Sequence, residues 1–199
     1  MGYRIDHFFH FNAAGHRSQA GLEVHPDHAL LTVPEVSTFS DLIEVYRVLG
    51  QDGYFGNSLG SFQDCLNDCK GYWGIQPPKL EIQHLALPGL PQPHLEAYIE
   101  MLLEAVVRYS THAEHNQKLD PEHIREELHR VFPSMSEAQI AFYIAPIPTT
   151  TLRVLFPESC KDVLQAVLDG HQHQIEHEVR FWNSKGFHLP EQFTRESFA

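Results

Sequence analysis

Histidines and carboxylates are the side chains of this chain whose spacing could do chemistry. The sequence holds 15 histidines among 199 residues, and the densest group is the segment GHQHQIEHE. His173 and His177 are four residues apart, so one helical face could present both imidazoles to a metal ion, with Glu176 or Glu178 nearby and His171 in the same cluster. A pair of histidines at this spacing, without a third ligand, is more often exposed to solvent than bound to a metal. A metal-dependent or otherwise unrecognised enzyme that uses this cluster is therefore the alternative hypothesis.

Motifs for catalysis are absent from the sequence. It contains no nucleophile elbow, no dinucleotide-binding glycine pattern and no phosphate-binding loop. Cys65, Cys69 and Cys160 are odd in number and lack the spacing of a disulfide framework. Cys65 falls on the expected buried face of a helix, where a thiol is poorly placed for catalysis. We predict that the chain is not an enzyme and needs no cofactor.

The charge balance points to a basic partner. Lys and Arg number 14 against 26 Asp and Glu, which gives a net charge of −12 that repels nucleic acid and speeds encounter with basic proteins. The basic residues are scattered, which argues against direct binding of nucleic acid. No run reaches the roughly 18 apolar residues of a membrane span, and the N-terminus lacks the pattern of a secretion signal. We expect a cytoplasmic protein that does not bind membranes; its oligomeric state is not predicted.

Two predicted helices and the loop between them form the most informative segment, residues 38–73. The first helix begins at Thr38 or Ser40, either of which can cap it, and ends at Gly50. A glycine-rich loop leads to a second helix over residues 59–70. Its inward face is expected to carry Leu59, Phe62, Cys65, Leu66 and Cys69. Its outer face is expected to carry Gly60, Gln63, Asp64, Asn67 and Asp68.

The loop before the second helix adds aromatic side chains to this outer face. Tyr54, Phe55 and Asn57 come directly before the helix begins. Aromatic side chains anchor protein partners, and acids steer and complement a basic target. The loop and the polar helix face together therefore predict a binding surface for a protein partner.

The run YFGNSLGSFQDCL, residues 54–66, resembles the signature of the barstar family. That signature is an aromatic pair, Gly, a polar residue, Asn, an apolar residue, Asp-Ala-Leu, an aromatic residue and Asp-Cys-Leu. The resemblance implies a small three-stranded parallel sheet flanked by helices, formed here by residues 29–107 and 149–156. It also implies an immunity or inhibitor protein that neutralises a cognate toxin, a ribonuclease or other nuclease, by plugging the basic active site with the loop and the helix.

The resemblance assigns roles to three residues of the signature. Asp64 takes the place of the family's principal acidic contact, and Tyr54 takes the place of its loop aromatic. Gly56 preserves the geometry of the loop. With their neighbours, these residues make up the expected contact surface: Tyr54, Phe55, Gly56, Asn57, Ser58, Gly60, Gln63, Asp64, Asn67 and Asp68.

Three positions depart from the family pattern. Gly60 replaces an acid, Ser58 replaces the loop Asn, and Gln63 replaces the aromatic residue before the second acid. These changes leave the fold-bearing positions intact and alter the contact face. They predict a toxin different from the founding ribonuclease.

Strands and helices alternate along the chain, which predicts a single α/β domain over residues 1–199. Elaborations surround the barstar-like core: an N-terminal extension over 1–27 that could form a hairpin, a helical insertion over 110–148, and a C-terminal helix and tail over 158–199. Within the insertion, 110–118 reads as a loop, Asp120 caps a helix to Val131, and Ser136 begins another. The last helix runs from Cys160 to about Trp182, and an irregular tail follows.

Overall fold

The fold is α/β, as predicted, and is built on one five-stranded sheet. The computed structural model describes residues 2–12, 21–50, 55–67, 79–146 and 150–193. The strands lie in the order β1-β5-β4-β3-β2. Their bounds are β1 Phe9–Asn12, β2 Gly21–Val24, β3 Ala29–Val33, β4 Lys79–His84 and β5 Thr151–Pro157.

The centre of the sheet contains the three parallel strands that the sequence predicts. β3 pairs with β4, and β4 pairs with β5, both in parallel register. The prediction of a three-stranded sheet was nevertheless too small, because β1 extends the sheet in parallel beside β5 and β2 extends it antiparallel beside β3. The sheet is therefore mixed.

The N-terminal hairpin predicted within residues 1–27 is wrong. β1 and β2 lie at opposite edges of the sheet, so they do not pair with each other. Phe9 stands opposite Val154 and its ring packs 5.2 Å from that of Phe156, while Leu22 stands opposite Leu31. β1 is thus held by the distant strand β5, whereas β2 forms its hairpin with β3 across residues 25–28.

Seven α-helices and four short 3-10 segments connect the described strands. The α-helices are α1 Phe39–Tyr46, α2 Leu59–Asn67, α3 Gln92–Ser110, α4 His112–Lys118, α5 Pro121–Val131, α6 Glu137–Ile144 and α7 Lys161–Ser184. The 3-10 segments are Ile5–His7, Arg47–Leu49, Glu158–Cys160 and Glu191–Phe193. None of these described helices is both long and apolar enough to cross a membrane.

The insertion and the tail differ from the sequence prediction in two places. The segment 110–118, read as a loop, is largely helix α4. The described part of the tail, residues 185–193, lies against the core, since Phe187, Leu189 and Phe193 are buried and the ring of Phe193 lies 5.1 Å from that of Phe8. Apolar side chains every few residues therefore hold these residues on the core. The caps predicted at Asp120 and Ser136 are confirmed.

One face of the sheet is apolar and lies under the helices. Phe9, Val154, Ile82 and Leu31 form a row across four strands, and all four are buried. α3 packs against β5, α2 and α7, so it is the central helix of this layer. The position of α3 fixes α2, which carries the predicted binding surface.

A chain of polar side chains crosses this core. The Nδ1–H of His84 donates to the carbonyl of Leu155 at 3.3 Å, so the ring's Nε2 accepts from the hydroxyl of Tyr98 at 2.6 Å. The oxygen of Tyr98 then accepts from the hydroxyl of Tyr46 at 2.7 Å. Burial lowers the pKa of His84 to about 3, so the ring is neutral, as this pattern of donors requires.

Candidate partner-binding surface

Phe55, the first described residue of the predicted loop, packs inward. Phe55 is 1% exposed, and its ring lies 5.3 Å from that of Tyr46 and 5.0 Å from that of Phe62. Phe55 was predicted as a surface contact, and this is wrong because the ring completes an aromatic cluster beneath α1 and α2. Tyr54, the other predicted loop aromatic, lies outside the described residues, as does Asp68.

Gly56 is buried against the backbone of α2. A Cβ at this position would lie 2.2 Å from the carbonyl carbon of Ser61 and 2.4 Å from the nitrogen of Phe62. Only glycine permits such a close approach between two backbone segments. The role assigned to Gly56 in loop geometry therefore has a physical cause in this chain.

Two serines close the first turn of α2. The hydroxyl of Ser58 accepts from the backbone N–H of Ser61 at 3.3 Å, and the hydroxyl of Ser61 accepts from the N–H of Ser58 at 3.0 Å. This reciprocal pair is a capping arrangement that sets where the helix begins. Asn57 is exposed, and its side-chain oxygen accepts from Arg47 at 3.3 Å. Ser58 is thus exposed and also stabilises the start of α2.

The two faces of α2 follow the prediction over the described residues. Phe62, Cys65 and Leu66 are buried. Gly60 and Asp64 are exposed, and Gln63 and Asn67 are half-buried. A Cβ on Gly60 would meet nothing within 4 Å, so the surface beside Asp64 is open.

An acidic border next to α2 was missed by the sequence reasoning. The amide of Gln63 donates to Glu104 on α3 at 2.5 Å. Burial, and then the charges of Glu178 and Glu100, raise the pKa of Glu104 although the bond from Gln63 opposes this. Glu96, Glu100 and Glu104 recur every four residues along α3, and this spacing was visible in the sequence as a stripe on one helix face.

The histidine cluster of the alternative hypothesis lies on α7. His171 pairs with Glu100 at 3.4 Å, and His173 and His177 are exposed. In the described part of the chain, no group of three or more His, Cys, Asp or Glu side chains is arranged to hold a metal ion. Cys65 and Cys160 are buried.

No family model, curated protein or solved structure matches the chain in comparisons with known proteins. The barstar resemblance therefore depends on the signature at residues 54–66 and on the element order around it.

Proposed function

We propose that this chain is a barstar-like inhibitor that neutralises a cognate toxin, a ribonuclease or another nuclease, by covering its basic active site with α2 and the loop before it. The observation that carries the proposal is the orientation of α2. Its apolar side chains are buried, its first turn is fixed by Ser58 and Ser61, and Asp64 is exposed beside the open surface at Gly60.

Asp64 is the residue that would oppose the toxin's cations. A nuclease binds the phosphates of its substrate with Arg and Lys, and a carboxylate forms the same charge-assisted hydrogen bonds that a phosphate oxygen forms. Because α2 is packed on α3 and capped at its start, the carboxylate is held on a rigid element before binding. Such preorganisation reduces the entropy lost on association.

The acids on the neighbouring helices widen this surface. Burial, and then the charges of Glu178 on α7 and Glu100 on α3, raise the pKa of Glu104. A cationic partner would relieve that repulsion. The net charge of −12 would also accelerate the encounter with a basic protein.

The departures at Gly60 and Gln63 bear on which toxin is bound. Gly60 leaves room for a partner side chain where the family carries an acid, and Gln63 is held by Glu104 rather than offering an aromatic ring. The target surface should therefore differ in shape from that of the founding ribonuclease, while remaining basic.

The proposal is tested by capture followed by an inhibition assay. The tagged full-length chain is expressed in its cell of origin, and retained proteins are identified by mass spectrometry and purified. We expect a basic protein whose cleavage of RNA or DNA stops at one equivalent of the chain. Asp162→Ala, which removes another exposed acid, should inhibit as the wild type does. A retained protein without nuclease activity, or a nuclease that stays active in the complex, would refute the proposal.

No specific observation in the described residues favours the metal-dependent alternative, so it is not developed further.

A further inference from the structure

The helices α5 and α6 form a hairpin that contributes little to the core. α5 buries no side chain, and α6 buries only Ile140. The two helices pack against each other and are joined by ion pairs from Arg125 and His129 to Glu137, at 2.5 and 3.1 Å. Most of the surface of this hairpin is therefore available to something outside the described fold.

Large apolar side chains are concentrated on that surface. Of the eight exposed large hydrophobic residues in the described part of the chain, four belong to the hairpin and the residue after α5. They are Val131 at 52% exposed, Phe132 at 51%, Phe142 at 46% and Tyr143 at 53%. Isolated exposed apolar residues are ordinary, but several within one small element are typical of an interaction site.

The charges of the hairpin select the kind of partner. Residues 120–144 contain five acids and two arginines, a net charge of −3. Both arginines are held by the hairpin's own glutamates, Arg125 by Glu137 and Arg130 by Glu127. Among the described residues, Glu122 and Glu126 have no ion-pair partner. The hairpin that carries the exposed aromatic side chains thus also carries uncompensated negative charge.

A basic protein fits this surface better than a second copy of the chain. A second copy would bring −3 against −3 locally and −12 against −12 overall. Like charges placed together oppose association, whereas a basic partner gains complementarity.

The position of the hairpin allows the partner of α2 to reach it. Gln63 bonds to Glu104, and the hydroxyl of Tyr109 donates to the carbonyl of Leu66 at 3.1 Å. α2 and α3 therefore run in the same direction and end side by side. The chain continues from the end of α3 through the seven residues of α4 into the hairpin, so few residues separate the hairpin from the end where α2 terminates.

We infer that the α5–α6 hairpin is a second docking surface for the same basic protein that α2 binds, with Phe132, Phe142 and Tyr143 as its anchors. This inference rests on the proposed function. It divides recognition between a steering carboxylate on α2 and apolar anchors on the hairpin, since aromatic side chains supply much of the affinity at protein interfaces.

Site-specific photo-crosslinking in the producing cell tests this inference. The full-length chain carries p-benzoylphenylalanine in place of Asp64, Phe142 or, as a control on α7, Val163. Val163 is exposed to the same degree as Phe142, at 45%. We expect the probes at 64 and 142 to capture one and the same basic protein, and the probe at 163 to capture it far less.

The affinity of variants for the captured protein tests the inference quantitatively. Phe142→Ser combined with Tyr143→Ser should raise the Kd at least 10-fold, and Val163→Ser should leave it unchanged. Circular dichroism checks that each variant folds, and both replaced rings are exposed, so little packing is lost.

The outcomes separate this inference from the proposed function. Capture at 64 but not at 142, or a Kd unaffected by the double substitution, overturns the hairpin surface alone. Capture of a second copy of the chain at 142 also overturns it, because the hairpin would then be a self-association surface. The absence of any basic partner at either position overturns the proposed function and this inference with it.

Discussion

A methyl group on Gly56 would meet the backbone of Ser61 at 2.2 Å, whereas a methyl group on Gly60 would meet nothing within 4 Å. The two glycines therefore have opposite reasons for being present. Gly56 permits the loop to approach α2, and Gly60 leaves a gap on the exposed face of the helix. Gly56 is therefore needed for the chain to fold, whereas Gly60 affects only the shape of the exposed surface.

We predict opposite effects of alanine at these two positions. Gly56→Ala should lower the free energy of unfolding by about 2 kcal/mol or more, because the loop or α2 must shift to accept the added atom. Gly60→Ala should raise it by up to about 1 kcal/mol, since alanine is the better helix former. Urea unfolding monitored by circular dichroism measures both. Equal destabilisation by the two substitutions would contradict this account of the loop.

His84 makes stability depend on pH. Its pKa is about 3 in the folded protein against 6.5 for the free side chain, so the unfolded chain binds a proton that the folded chain does not. The stabilisation is complete above pH 6.5 and is lost as the pH falls from 6.5 toward 3, by about 1.4 kcal/mol per pH unit. His112, whose pKa burial lowers to about 4, acts in the same direction.

We predict that His84→Gln has a flatter dependence of unfolding free energy on pH between 6.5 and 4.5 than the wild type. The difference should approach roughly 2 kcal/mol over that range. The variant should also be less stable at pH 7, because Tyr98 and the carbonyl of Leu155 lose a buried partner. His177→Gln, at an exposed position, controls for the loss of an imidazole. An unchanged slope in His84→Gln would mean that the ring is protonated in the fold.

At the scale of elements, the hairpin and the core should differ in local stability. α3 buries nine side chains along its length, whereas α5 buries none. Segments with few buried apolar contacts open at lower free energy than the core. We predict that amide hydrogens in residues 121–144 exchange at least 100-fold faster than those in 98–107, as measured by mass spectrometry. Equal protection would show that the hairpin is packed as firmly as α3.

Local sequence pattern predicted the elements that depend on local interactions. β3, β4 and β5 are short apolar or alternating runs bounded by Pro, and α5 and α6 have capping residues at Asp120 and Ser136. The placement of β1 could not be predicted in this way, because its partner β5 is far away in sequence. β2 pairs with β3 across the short turn at residues 25–28, and this pairing was missed because the hairpin was sought within residues 1–27. α4 was missed because its residues are polar and only Thr111 separates it from the end of α3.

In the candidate site too, the local sequence pattern predicted what depends on local structure and missed what depends on tertiary contacts. Helical spacing correctly placed Phe62, Cys65 and Leu66 inward and Asp64 outward. Phe55 was misplaced because a loop position says nothing about whether a ring points into the core. Gln63 and Glu104 are 41 residues apart in the sequence and lie on two different helices, so only the tertiary structure brings them together.

At the scale of the whole molecule, charge and architecture support one interpretation. The sheet and its helices fix α2 on one side of α3, and the acids of α3 and α7 extend the negative surface around it. The long insertion adds the hairpin a short distance along the chain from the end of α3, beside which α2 terminates. A chain of net charge −12 with this arrangement is suited to binding a basic protein over a broad area.

The affinity of the Asp64→Ala variant for the captured toxin tests the central claim most directly. Isothermal titration calorimetry with the purified, catalytically inactive toxin compares the wild type, Asp64→Ala and Asp162→Ala. We predict that Asp64→Ala weakens binding by at least about 2 kcal/mol, or roughly 30-fold in Kd, because it leaves a cation of the toxin buried without a partner. Asp162→Ala should bind as the wild type does. An unchanged Kd for a folded Asp64→Ala would remove α2 from the interface and contradict the account.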